Sequence, residues 1–137
     1  MHIPPLSPRL RTFHHDLVQG SSDALPTFWQ TIAHQGTPLV EPIPDDPHSS
    51  LVTFLWHATE SVQNVVVAGW LVPFDVTQNQ MTQLLHTDLW YITYRLPNTL
   101  RATYFLSPND SLTPYREEEH WEARHANWRA DPLNPLP

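Results

Sequence analysis

The nine histidines are the side chains with the clearest potential for chemistry in this sequence. An imidazole can bind a metal or act as a base when a second group lies on the same face of its element. His14 and His15 are adjacent, and His120 and His125 lie about 140° apart around a helix, so neither pair has suitable geometry. Glu122 and His125 share a helical face, but two ligands do not make a metal site. The sequence therefore predicts no metal centre.

The three glycines, at positions 20, 36 and 69, limit two further kinds of site. A common serine hydrolase holds its nucleophile on a G-x-S-x-G turn, and a phosphate-binding loop is rich in glycine. No glycine here frames a serine or forms such a loop, and the absence of cysteine excludes a thiolate nucleophile. The sequence therefore predicts a chain without a catalytic centre and without a cofactor.

Two arginines in the most regular part of the sequence suggest a binding surface. Side chains alternate with a period of two over residues 89–96 and again over residues 100–106, which predicts two β-strands. A three-residue loop at positions 97–99 would join them as a hairpin and pair Leu96 with Leu100. Arg95 would then lie directly opposite Arg101 on the outer face.

Two like charges directly opposed on a sheet are destabilising unless an acidic group lies over them. The candidate acids are Asp88, a carboxylate from another domain and an anionic ligand, and we expect an external partner. The same outer face carries tyrosine and threonine side chains. The residues predicted to bind substrate or to dock another domain are Arg95, Arg101, Tyr91, Thr93 and Thr103.

The elements that position this surface follow from periodicity and from helix start and stop signals. Two short amphipathic helices are predicted, the first over residues 8–18 and the second between a cap at position 22 or 23 and Gly36. Residues 37–50 are predicted to be an extended connector. Further strands are predicted at residues 51–57, 64–69 and 81–85, and a helix at residues 115–128. Strands at this spacing predict a mainly β fold, an immunoglobulin-like (early-set) antiparallel β-sandwich with short N-terminal helices and a C-terminal helix and linker.

Composition limits the partners and the organisation. The chain has 137 residues, enough for one domain, and a net charge of −7 without a basic stripe, which argues against nucleic acid. No apolar leader or membrane-spanning run occurs, so no membrane partner is expected and the protein is predicted to be cytoplasmic. Three prolines among the last six residues indicate a linker. We therefore expect a domain over residues 1–130 and the start of a linker at residues 131–137.

Several stretches of the sequence resemble a known family, the N-terminal domain of enterochelin esterases. The residues that carry the resemblance are VTFLWH at 52–57, MTQLLHTDLWYITYRLP at 81–97, LRATYFLSPNDSL at 100–112 and DPLNP at 131–135. FW at 28–29 and GTPLVE at 36–41 support it. In that family an immunoglobulin-like domain precedes an α/β-hydrolase domain, which the DPLNP linker joins to it.

The resemblance implies a role in iron release. Enzymes of this family hydrolyse the trilactone of ferric enterobactin, or of a related siderophore, in the cytoplasm. It implies that the catalytic serine lies beyond Pro137 and that this domain is non-catalytic, helping to form or cover the substrate site. The implied partners are the hydrolase domain and a ferric catecholate siderophore. His86 and Ile92 stand where the family pattern has glycine and arginine, which favours a siderophore or ester other than enterobactin itself.

Two other functions remain open from the residues alone. A carbohydrate-binding module of the kind found in glycogen-active enzymes would need tryptophans lying flat and exposed on one sheet face. The alternation instead places Trp56 and Trp90 toward the core. A plain interdomain scaffold without any ligand contact is the second alternative.

Overall fold

The computed structural model describes residues 5–69, 73–100 and 102–135. Its elements in chain order are α1 (Pro8–Val18), α2 (Ala24–Gln35), β1 (Leu39–Ile43), β2 (Asp46–His57), β3 (Val65–Gly69), β4 (Thr82–Gln83), β5 (Leu89–Pro97), β6 (Tyr104–Pro108) and α3 (Trp121–Asn127). Single turns of 3₁₀ helix occur at Val76–Asn79 and Tyr115–Glu117. The described chain is therefore mainly β, with three short helices.

The strands form two antiparallel sheets. One has four strands in the order β1-β2-β5-β4, and the other has two, β3 and β6. Ile92 of β5 is opposite Phe54 of β2, whereas Tyr104 of β6 is opposite Gly69 of β3. The predicted hairpin between β5 and β6 is therefore wrong, because the two strands belong to different sheets.

The turn after β5 shows why the chain leaves the sheet at this point. The backbone N–H of Asn98 donates to His48 O at 2.9 Å, its side-chain amide donates to Pro47 O at 2.9 Å, and the Ser50 hydroxyl donates to Asn98 Oδ1 at 2.5 Å. These bonds hold the turn against β2. Strand β5 is flanked by β2, with which it pairs over nine residues, and by β4. The next strand, β6, pairs with β3 in the second sheet.

The two sheets share one core. Its buried members are Phe54, Val65, Val67, Met81 and Leu106, which come from both sheets and from the segment before β4. Trp56, Trp90, Ile92 and Tyr94 are partly buried and pack against them. The predicted facing of Trp56 and Trp90 toward the core is therefore confirmed, although both side chains are only half-buried.

A second core lies between the four-stranded sheet and the two N-terminal helices. Its buried members include Leu10, Phe13, Phe28, Trp29 and Ile32 from the helices and Leu55, Leu89 and Tyr91 from the sheet. The face of β5 that was predicted to be outer is consequently covered. Both faces of the central strands are buried, so alternation along a strand here separates two cores.

The N-terminal helices have clear start and stop signals. Helix α1 has the predicted bounds, because the Ser7 hydroxyl accepts from Leu10 N at 3.2 Å and Pro8 occupies the first helical position. Helix α2 ends at Gly36, whose φ of 91° suits glycine. The Ser7 hydroxyl also donates to Glu41 of β1. Asp23 occupies the predicted N-cap position of α2, but its side chain makes no capping hydrogen bond. Ser7 therefore fixes the start of α1 and attaches it to the sheet, and Gly36 ends α2.

Several predicted segments differ from the structure. The strand predicted at 81–85 is reduced to β4 at Thr82–Gln83, and the strand predicted at 100–106 is found as β6 at Tyr104–Pro108. Residues 37–50 are not a connector, since they form β1 and the start of β2, paired through Pro42 and Ser50. Proline is tolerated because β1 is an edge strand. The helix predicted at 115–128 is confined to α3. Glu118 interrupts it by accepting from His120 N at 3.0 Å and from Arg124 Nη1 at 3.1 Å.

The shared core makes a specific prediction about stability. Phe54 is 1% exposed, so the Phe54→Ala variant should lower the free energy of unfolding by about 3–5 kcal/mol. Phe74 is 64% exposed and contacts only one other described ring, that of Tyr115, so Phe74→Ala is the matched control, with an expected loss of about 1 kcal/mol or less. Urea denaturation measures both. Equal losses would contradict a core centred on Phe54.

Candidate functional site

Arg95 makes an internal ion pair. Its guanidinium donates to the carboxylate of Asp46 at the start of β2, and this contact is the main cause of the lowered pKa of Asp46. Arg95 is registered with Leu51 of β2. The predicted pairing that would place Arg95 opposite Arg101 is therefore wrong, because β5 pairs with β2 at this position. Asp46 already neutralises Arg95, so Arg95 does not need an acid from outside the domain. Arg101 lies outside the described residues.

The other predicted site residues separate into two groups. Tyr91 is 9% exposed within the core between the N-terminal helices and the four-stranded sheet, called the helix-side core below. Burial raises the pKa of its hydroxyl. The Thr93 hydroxyl is hydrogen-bonded to that of Thr53 at 2.8 Å, on the same sheet. Thr103 is exposed and lines a groove between the two sheets. The structure therefore does not bring these residues together, and a binding role for Tyr91 and Thr93 stays a prediction.

The groove beside Thr103 has a volume of about 840 Å³. Its lining residues come from β1, β2, the end of β5, the start of β6, the segment between β5 and β6, and the C-terminal segment. Apolar lining residues include Val40, Val52, Phe54, Leu96 and Leu100. A groove of this size is within the range of ligand and peptide sites, so it is the candidate functional site of the described chain.

One end of the groove is polar and centres on Asp131, which is 8% exposed. Its Oδ2 accepts from the Thr37 hydroxyl and from the Tyr104 hydroxyl, each at 2.7 Å. The Asn134 side-chain amide donates to the Tyr104 oxygen at 3.1 Å, and Leu133 N donates to Asp131 Oδ1 at 3.0 Å. Asp131 therefore joins the start of β1, the start of β6 and the C-terminal segment.

Residues 131–135, predicted to belong to a linker, pack against the domain. The Leu133 side chain packs against the helix-side core, and its carbonyl accepts from Thr37 N at 3.1 Å. A Cβ atom placed on Gly36 would lie only 2.9 Å from Pro135 Cδ. The C-terminal segment thus forms a fixed wall of the groove as far as Pro135.

The described lining of the groove is mostly uncharged. It includes one carboxylate, that of Asp131, and neither arginine nor histidine. Burial, together with the neighbouring Asp131, raises the pKa of Tyr104, so its hydroxyl stays protonated and can donate. The described residues therefore give the groove a mainly apolar surface with hydroxyl and amide groups at one end.

A second polar cluster lies on the helix side and was not foreseen from the sequence. His57 Nε2 is 2.9 Å from Asp88 Oδ2, and Trp29 Nε1 donates to Asp88 Oδ1 at 2.9 Å. The Trp29 and His57 rings are stacked with centroids 4.1 Å apart. The three side chains lie in the stretches FW, VTFLWH and HTD. These stretches are far apart in the sequence, so no local pattern indicates that the side chains meet.

The cluster contains a histidine–carboxylate pair, which is also found in catalytic triads. Ser7, Ser50 and Ser107 are hydrogen-bonded elsewhere, to Glu41, Asn98 and Asp110. Within the described ranges, no group of three potential metal ligands comes together. The contacts of Asp88 with Trp29 and His57 tie α2 to the sheet.

Comparisons with known proteins agree with this architecture. A family model described as the N-terminal domain of enterochelin esterases matches residues 51–137. Over 132 residues the chain is 30% identical to the iron(III) salmochelin esterase of Escherichia coli O6:H1, covering 93% of this chain and 32% of that protein. The chain therefore belongs to the enterochelin esterase N-terminal family.

Solved structures show the same relationship. The enterobactin esterase of Shigella flexneri, in the presence of 2,3-di-hydroxy-N-benzoyl-glycine, is similar with a TM-score of 0.61 and 25% identity, over 80% of this chain and 30% of that one. The ferric enterobactin esterase of Salmonella typhimurium shares the fold with a TM-score of 0.60 and 21% identity. This chain thus spans about a third of the length of these relatives.

Within the described ranges, no helix is long and apolar enough to cross a bilayer.

Removing the Asp131 carboxylate should destabilise the domain. In Asp131→Ala the buried hydroxyls of Thr37 and Tyr104 lose their shared acceptor, which should cost about 1–3 kcal/mol of unfolding free energy. The control is Glu119→Ala, since Glu119 is exposed, with an expected change within about 0.5 kcal/mol. Urea denaturation of both variants is the measurement, and a neutral Asp131→Ala would contradict the anchoring role.

The tyrosines predict the response to alkaline pH. Burial is the main cause that raises the pKa of Tyr91, Tyr94, Tyr104 and Tyr115, because it disfavours the phenolate. The resulting stabilisation is complete below about pH 10, the pKa of tyrosine in the unfolded chain. It is lost as the pH rises through the higher tyrosine pKa values of the folded domain. Phenolate absorbance of the folded domain should therefore rise at a higher pH than that of the domain in urea, with the loss of structure followed by circular dichroism. In urea the four should titrate near pH 10, and a folded domain showing that titration would contradict the prediction.

Proposed function

We propose that this chain is the non-catalytic N-terminal domain of a siderophore esterase. The observation that carries the proposal is its membership of the enterochelin esterase N-terminal family, together with its coverage of only 32% of the salmochelin esterase. The whole enzyme is proposed to hydrolyse the trilactone of a ferric enterobactin-type siderophore in the cytoplasm and so release iron. In this arrangement an α/β-hydrolase domain of the same polypeptide supplies the catalytic serine.

The fold assignment within this proposal is an immunoglobulin-like, early-set β-sandwich. Two antiparallel sheets with a common core support it, as do the TM-scores near 0.6 against the solved esterases. We assign residues 1–130 to the domain with its helical extension. Residues 131–137 begin the connection to the hydrolase domain, and residues 131–135 of it pack against the domain.

The role of the domain is to help shape or cover the substrate site of the hydrolase. Two features support a non-catalytic role: Ser7, Ser50 and Ser107 are hydrogen-bonded to carboxylate or amide groups, and the described groove lining contains no histidine. The carbohydrate-binding alternative is disfavoured because Trp56 and Trp90 face the core shared by the two sheets. It would require tryptophans lying exposed on a sheet face.

The activity test compares two proteins. The full-length protein should hydrolyse a ferric catecholate trilactone, and this chain alone should not. Replacing the serine of the G-x-S-x-G turn expected beyond Pro137 with alanine should abolish turnover, because the nucleophile is lost. Turnover by this chain alone that persists through repeated purification would contradict the non-catalytic assignment. A full-length sequence without a hydrolase domain would contradict the proposal as a whole.

A further inference from the structure

We propose that the groove between the two sheets is the docking site for an apolar segment of the hydrolase domain of the same protein. This inference rests on the proposed function, and it names the surface and the chemistry of its occupant. It assigns the groove to a protein contact rather than to the siderophore.

The groove exposes apolar side chains that a soluble domain otherwise buries. Val40 is 63% exposed on the edge strand β1, and Leu100 is 38% exposed on the segment that crosses between the sheets. Both line the groove, and Phe54 in the shared core forms part of the same surface. A concave apolar patch of this kind is typical of an interaction site.

The path of the chain identifies the partner. Ala130, Asp131, Asn134 and Pro135 form one wall of the groove, and Asp131 fixes that wall through its bonds to Thr37 and Tyr104. A polypeptide that continues past this wall starts beside the groove. The family match extends to residue 137, and the relatives are about three times as long as this chain.

Tethering at the wall strengthens such a contact. A domain held by a short, ordered connection is present at a high effective concentration, so even a small apolar contact can keep it docked. The hydrolase domain therefore needs no extensive charged interface to remain on this surface.

The test uses site-specific thiol labelling, for which this cysteine-free domain is well suited. Val40→Cys places a thiol in the groove, and Val18→Cys is the matched control, because Val18 is 60% exposed on α1 and does not line the groove. In this chain alone the two thiols should react at similar rates. In the full-length protein the thiol at position 40 should react at least about tenfold more slowly, with no change at position 18.

Leu100→Cys gives a second readout from the opposite side of the groove and should also be slowed. Peptide mass spectrometry after labelling assigns each rate to its position. Unchanged melting temperatures for the three variants of this chain would show that the substitutions leave the fold intact. Equal labelling rates at positions 40 and 18 in the full-length protein would overturn the inference.

Two further outcomes identify other occupants. Phe74→Cys lies on a second surface, 64% exposed, and protection there without protection at position 40 would keep the two-domain function but refute the groove as the docking site. Protection at position 40 that appears only after adding ferric siderophore would assign the groove to the ligand and likewise overturn the inference. A missing hydrolase domain would be evident from the full-length sequence itself, which separates failure of the proposed function from failure of this inference.

Discussion

The buried carboxylate of Asp131 is the contact on which the arrangement of the domain depends. It accepts hydrogen bonds from Thr37, before β1, and from Tyr104, at the start of β6, and so joins residues 94 and 27 positions away in the chain. A carboxylate that is 8% exposed is stable only when such donors replace water. The same contact holds the end of the described chain against both sheets, which gives the groove its wall.

Two other carboxylates play comparable parts. Asp88 joins α2 to β2 through Trp29 and His57, and Asp110 forms a buried ion pair with Arg124 of α3 at 2.8 Å. The stretches that carry the family resemblance contribute many of these groups, including FW at 28–29, HTD at 86–88 and DPLNP at 131–135. Several residues within the family resemblance therefore attach helices and the C-terminal segment to the sheets.

Local sequence pattern predicted the parts of the fold that depend on local physics. The bounds of α1 follow from its cap and proline, and the facing of Phe54 and Trp90 follows from alternation along their strands. The pairing of β5 with β2 could not be foreseen, because alternation specifies a face and not a partner. The same limit applies to the site: the acid beside Arg95 is Asp46, 49 residues earlier in the chain, and no local signal links the two.

The close contact between Gly36 and Pro135 has a consequence for evolution and engineering. Position 36 follows a helix end and has a φ of 91°, so glycine is favoured there on backbone grounds alone. In addition, any side chain would press on Pro135, since a Cβ would lie 2.9 Å from Pro135 Cδ. A methyl group at position 36 would thus push Pro135 away from the end of α2. Because Pro135 lines the groove, the position of that wall depends on a residue far earlier in the chain.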